Sequence, residues 1–182
     1  MTKKETQKKE FIKSHLISDK VITEPSDQAL ELYNQSRFGT LLEDKKLQLS
    51  LIEALYLSEK GKILVYSNKK KLSFEELMKK AEKKEPNVLT RFIVFKDLRN
   101  RGYIVKTALK FGADFRVYER GFKPGEAHAK WIVYPVEEED TITWYEFAAK
   151  NRVAHSTRKR LLIGIVDDEN DVTYYEIKWT RP

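Results

Sequence analysis

The stretch that most constrains the fold is "KRLLIGIVDDENDVTYYEIKW", Lys159 to Trp179. Leu161 to Val166 run without a polar side chain, and a second strand-like run follows the acidic turn "DDEND", so the segment reads as two buried strands joined by a tight turn. Such strands need cover. The preceding "TITWYEFAAKNRVAHSTR" reads as a helix, and "NVLTRFIVFKDLRNRG" as an amphipathic helix running into Gly102. Between these helices lie the strand-like "YIVKTALKFGADFRVYER" and "WIVYPV". The order helix, strands, helix, strands predicts a mixed-sheet α/β domain with helical cover.

The first half is built from smaller pieces. "HLISDKVITE" reads as two short strands around a Ser-Asp-Lys turn, and "EPSDQALELYNQSRFG" as a capped helix. In "LQLSLIEALYLSEKGK", Leu47, Leu51, Ala54, Leu55 and Leu57 recur at largely helical spacing, with Gly61 as the stop. Ser73 and Glu76 form a capping-box pattern, and Pro86 ends that helix or begins the next. The expected organisation is therefore an α/β (α+β) chain with a small mixed N-terminal domain, 1–85, and a mixed-sheet α/β C-terminal domain, 86–182. No internal repeat or low-complexity linker interrupts it.

Composition narrows the function. The 182 residues are 41% apolar, enough for a packed core. Zero cysteines exclude disulfides, thiolate zinc sites and a cysteine nucleophile. No apolar run is long enough for a signal peptide or a membrane span, so a soluble, cytoplasmic protein is expected. A net charge of +7 favours a polyanionic partner, while abundant Lys and Glu also fit a heat-adapted, ion-paired surface. The basic start "MTKKETQKKE" reads as a solvated end.

Familiar catalytic motifs are missing: there is no Gly-rich phosphate loop, no HExxH and no GxSxG. Histidines 15, 128 and 155 are too scattered to build a metal site, and no cofactor is expected. One metal-nuclease pattern exists, the E-x-K of Glu176 and Lys178 preceded by Asp167, Asp168 and Asp171, which could hold Mg²⁺ beside a phosphate. The commoner origin of such a pattern is plain alternation along a strand that carries Tyr175, Ile177 and Trp179 inward.

A second constellation lies in "VYERGFKPGEAHAKWIVYPV", Val117 to Val136. Strand, glycine-bearing loop and strand put Tyr118 where the chain leaves the first strand and His128 where it enters the second, so both could reach one cleft. Lys159 sits between Arg158 and Arg160, where a helix gives way to a strand. Singly, these are a strand tyrosine, a surface histidine and one member of a basic cluster. Jointly, they can cleave RNA without metal: one group takes the 2′-OH proton, one protonates the departing 5′ oxygen, and a cation steadies the phosphorane.

The tyrosine leaving a strand, the RGxxPGxxH of Arg120 to His128 and the SxRKxLLxxxVD of Ser156 to Asp167 together resemble the catalytic domain of the archaeal tRNA-splicing endonucleases. The match runs from about Tyr103 to Trp179; the first half agrees in length and element pattern. The resemblance implies cleavage of precursor tRNA at bulge-helix-bulge intron junctions, giving 2′,3′-cyclic phosphate and 5′-hydroxyl ends. By position it puts the general base at Tyr118, the general acid at His128 and the stabilising cation at Lys159. It also implies a clamp for a flipped base, for which Arg152 and Trp179 are the best positions. Finally, it implies that Asp167, Asp168, Glu169 and Asp171 dock into a neighbouring subunit of a homotetramer. A catalytic subunit of a heterotetramer would look similar, whereas the complete motif set argues against the alternative of a non-catalytic RNA-binding subunit.

Overall fold

The computed structural model of the chain describes residues 11–108, 112–122, 124–125 and 127–180. The basic start lies outside them. Two compact units emerge, one formed up to Gln35 and by Gly39–Ala81, the other by Ser36–Phe38 and from Glu82 onward. Each carries a mixed sheet with helices, an α+β fold.

In the first unit β1 (Ile12–Ile17) and β2 (Lys20–Thr23) form a hairpin whose turn places Ser18 at φ +56°. Helix α1 (Asp27–Ser36) follows, with the Ala29 N–H donating to Ser26 Oγ at 3.1 Å. Then come β3 (Thr40–Leu41), β4 (Leu47–Ser50), α2 (Leu51–Glu59), β5 (Ile63–Ser67), β6 (Lys70–Lys71) and α3 (Phe74–Glu82). The sheet order is β3-β4-β2-β1-β5-β6, with β1 and β5 parallel.

One expectation changes here. Leu47 belongs to a strand, not to the helical stripe: Leu47 and Leu49 are buried while Gln48 and Ser50 are less so, a period of two. Helix α2 starts only after Ser50, which forms a capping box with Glu53. The buried Glu53 carboxylate also accepts the Gly39 N–H at 2.9 Å. Gly39 has φ +61°, and a Cβ there would lie 2.5 Å from the Gln48 carbonyl oxygen, so only glycine fits. The Ser73–Glu76 capping box of α3 forms as expected, with reciprocal bonds of 3.0 and 3.2 Å.

The second unit contains α4 (Val88–Asn100), β7 (Ile104–Thr107), β8 (Phe115–Tyr118), β9 (Trp131–Glu137), α5 (Trp144–Ser156), β10 (Arg160–Val166) and β11 (Val172–Ile177). The sheet order is β11-β10-β9-β8-β7, and only β9 and β10 run parallel, joined by the crossover helix α5. One face packs on α4: Phe95 stacks near Phe115 at 5.7 Å, and Val94 approaches so closely that a Cβ on Gly164 would stand 3.2 Å from it. The other face packs on α5 through Ile132, Tyr134, Leu161 and Ala154. At the start of β8, Arg91 is held between Glu85 and Asp114.

Strand β11 is less buried than expected because it is an edge strand. Ile177 packs inward and the Tyr174 hydroxyl donates to Asp97 at 2.8 Å, but Tyr175 and Trp179 are about half exposed. Among the described residues no helix is long and apolar enough to cross a membrane.

Candidate active site

The loop from β8 to β9 is pinched at both ends. The Lys130 N–H donates to the Val117 carbonyl at 2.9 Å, Lys130 Nζ pairs with Glu119 at 2.5 Å, and Pro124 bridges to Ala127. Gly121 and Gly125 adopt φ +84° and +93°, which turns the chain back. Tyr118 is buried at the loop's start, and the exposed His128 stands between bridged Ala127 and buried Ala129.

The end of α5 sets the lysine. Arg158 takes a left-handed conformation, φ +56°, its N–H donating to the His155 carbonyl at 2.9 Å, and the Lys159 N–H donates to the Ala154 carbonyl at 2.8 Å. This is a Schellman closure, and it fixes where Lys159 leaves the helix. The Arg160 N–H then reaches the Lys130 carbonyl at 3.0 Å, so β10 starts beside β9 and Lys159 comes to the end of β9 into which His128 leads.

Tyr118, His128 and Lys159 thus line one open cavity of about 430 Å³, together with Arg116, Gly125, Ala127 and Ala129. Among the described residues no carboxylate lines it. Lys159 Nζ donates to the Thr157 carbonyl at 2.7 Å. Burial first, and the nearby Arg116 charge second, push the lysine below the ordinary ammonium range. Arg116 was missed in the sequence, although a signal existed: it precedes Tyr118 by two residues in a strand and so shares its face.

Two domain families match the chain. Residues 12–78 match the tRNA intron endonuclease N-terminal domain, and residues 88–174 its catalytic C-terminal domain. The chain belongs to the tRNA intron endonuclease family. It is similar to a protein of Thermococcus onnurineus named tRNA-splicing endonuclease, 44% identical over 95% of this chain and 99% of the relative. Proteins of the same name from Nanoarchaeum equitans and Methanothermobacter thermautotrophicus are 49% and 44% identical, over 78% and 91% of this chain and 94% and 96% of theirs. The chain is an enzyme, an endonuclease of this family.

Other candidate residues of this endonuclease lie apart from the cavity. Arg152 is exposed on α5 and does not line it. Trp179, just past β11, sets its ring 4.5 Å from that of His155, a histidine to which the sequence assigned no partner. His155 is three residues beyond Arg152, on the same side of α5.

The acidic turn is at the far end of β10. Asp167 Oδ1 accepts the N–H groups of Glu169 and Asp171 at 3.0 and 2.9 Å, and Asn170 adopts φ +65°. The Asp168 N–H donates to Glu138 at 3.3 Å. Glu176 is elsewhere: it stands opposite Leu162, accepts Trp131 Nε1–H at 2.7 Å and pairs with Arg160 at 2.8 Å. Burial pushes its carboxyl up, but Trp131, Arg160 and Lys178 together hold it below the ordinary range. The E-x-K carboxylate and the aspartates therefore do not converge, and no group of three or more metal-ligating side chains forms among the described residues.

Proposed function

We propose that this endonuclease cleaves precursor tRNA at bulge-helix-bulge intron junctions by a metal-independent transesterification. The observation that carries the reading is the single cavity shared by Tyr118, His128 and Lys159, lined by no carboxylate among the described residues. Tyr118 takes the proton of the 2′-hydroxyl, whose oxygen attacks the adjacent phosphorus. A phosphorane forms, and Lys159 holds its developing charge. The P–O5′ bond then breaks as His128 gives a proton to the leaving oxygen, leaving a 2′,3′-cyclic phosphate and a 5′-hydroxyl. The catalytic roles fall in 86–182, with 1–85 as the N-terminal domain. Arg152 and Trp179 are assigned to clamping an unpaired base, since guanidinium and indole both stack on bases.

The enzyme works as a homotetramer in the cytoplasm, its Asp167, Asp168, Glu169 and Asp171 turn docking on a neighbour's basic surface. Because Asp167 also builds its own turn, the test of docking neutralises Asp168, Glu169 and Asp171 only. Light scattering should then show smaller species, as should rising salt with the unaltered protein. A monomer or dimer before any change would refute this assembly.

The chemistry is tested by incubating purified protein with a bulge-helix-bulge RNA in EDTA. Cleavage with cyclic phosphate on the upstream fragment is expected. Activity that vanishes in EDTA, returns with Mg²⁺ and survives His128→Ala would overturn it.

A further inference from the structure

Strand β8 sends Phe115 and Val117 into the core on the α4 face, and Arg116 and Tyr118 to the opposite face. In register, Arg116 stands between Lys106 on β7 and Ile132 on β9. Like charges directly opposite each other on antiparallel strands destabilise the pair. Here the Lys106 ammonium is drawn aside, donating to the Arg37 carbonyl at 2.8 Å. On the cavity side Arg116 meets a second cation, Lys159, near enough to disfavour the lysine's charge. Arg116 Nε is buried with no hydrogen-bond partner among the described residues. Burying such a donor costs free energy unless a partner satisfies it, and no carboxylate lining the cavity does so.

We propose that Arg116 is a fourth residue acting at the scissile phosphate, its guanidinium gripping the non-bridging oxygens beside Lys159. The two cations divide the task. A guanidinium is a planar fork that fixes the orientation of a phosphate, whereas an ammonium is a compact charge that follows the oxygen as its charge grows. The anion resolves the repulsion that the free cavity contains. This assignment rests on the RNA-cleaving reading above, and two measurements separate their failures.

The first is single-turnover cleavage of the bulge-helix-bulge RNA by the full-length protein. Arg116→Gln should slow it tenfold or more, with RNA affinity changed less than threefold, and Arg116→Lys should recover part of the rate. The second needs no RNA: the Lys159 ε-ammonium signal is followed by NMR during titration with inorganic phosphate. In the unaltered protein the signal should respond, in Arg116→Gln at least tenfold more phosphate should be required, and the phosphate-free titration midpoint should rise because a neighbouring positive charge is gone. Protein that leaves the RNA intact, yet whose phosphate response depends on Arg116, would retain the anion site and lose the RNA reading. Arg116→Gln with an unaltered rate and an unaltered phosphate response would overturn the proposal. So would Arg116→Lys as slow as Arg116→Gln with both phosphate responses unaltered, since that pattern marks a packing role.

Discussion

The two parallel strands of the second unit begin among cations and end among carboxylates. At their start lie Lys130, Lys159 and Arg160, with Arg116 and His128 nearby; at their end lie Glu137, Glu138 and Asp140 and the turn from Asp167 to Asp171. The two ends handle charge differently. At the acidic end backbone and hydroxyl donors answer the carboxylates: the Glu137 N–H reaches Asp140, the Thr90 hydroxyl Glu137, and the Asp168 N–H Glu138. At the cationic end Lys130 and Arg160 pair with Glu119 and Glu176, while the cavity shared by Arg116 and Lys159 is lined by no carboxylate among the described residues. One end uses its charge to build turns, and the other brings two cations, Arg116 and Lys159, to one open cavity.

The largest effect is expected at His128. It is exposed, so His128→Ala should leave stability within about 0.5 kcal/mol while slowing single-turnover cleavage about a hundredfold or more. Rapid-quench kinetics beside a denaturant melt would show both, and an unchanged rate would remove the histidine from the chemistry. Less severe is the effect of pH on the same end. Burial and Arg116 lower the pKa of Lys159, so a rate that needs its ammonium should fall as pH rises through a midpoint below the ordinary lysine range. The sign for stability is opposite: the folded protein disfavours the proton, so this group's penalty is fully present below its folded pKa and is lifted as pH rises toward the unfolded value. An alkaline limb at the ordinary lysine position would place Lys159 outside the field of Arg116.

The acidic end should respond in stability first. Asp167→Ala removes the acceptor of two backbone N–H groups and should cost about 1–2 kcal/mol in a chemical melt. Asp168→Asn, whose backbone rather than side chain bonds to Glu138, should change stability by less than about 0.5 kcal/mol. Equal costs would mean that the turn is held by net charge and not by the Asp167 acceptor.

How legible these ends were depended on the range of the interactions that make them. Local signals sufficed for the Ser73–Glu76 cap, for the acidic turn and for the loop that separates Tyr118 from His128, because each is written within a few residues. Leu47 was misplaced because apolar residues four apart suit a helix as well as two ends of a strand and its sequel, and only the pairing with β3 and β2 decides. Tyr175 was expected inside because an edge position depends on strand order, which the local pattern does not contain. The His155–Trp179 contact escaped for the same reason, since tertiary packing brings the two rings together, whereas the strand period beside Tyr118 already carried the signal for Arg116.

A smaller effect than that of Asp167→Ala separates the geometry of the cationic end from its charge. Helices α4 and α5 close with the same pair of bonds: Gly102 N–H to the Arg99 carbonyl and Tyr103 N–H to Leu98, against Arg158 N–H to His155 and Lys159 N–H to Ala154. Both motifs need a left-handed residue, supplied by Gly102 at φ +88° and by Arg158 at φ +56°. An L side chain in that conformation is strained, whereas glycine loses more chain entropy on folding, so Arg158→Gly should stabilise the protein by about 0.5–1 kcal/mol. Because the motif's bonds come from the backbone, Lys159 should keep its place and the single-turnover rate should stay within twofold. A denaturation midpoint that rises with an unchanged rate would show that Arg158 serves only to close the helix. A rate that falls despite the added stability would instead make its guanidinium part of the charge that the cationic end presents, and the division between turn-building and presented charge would then run through this residue.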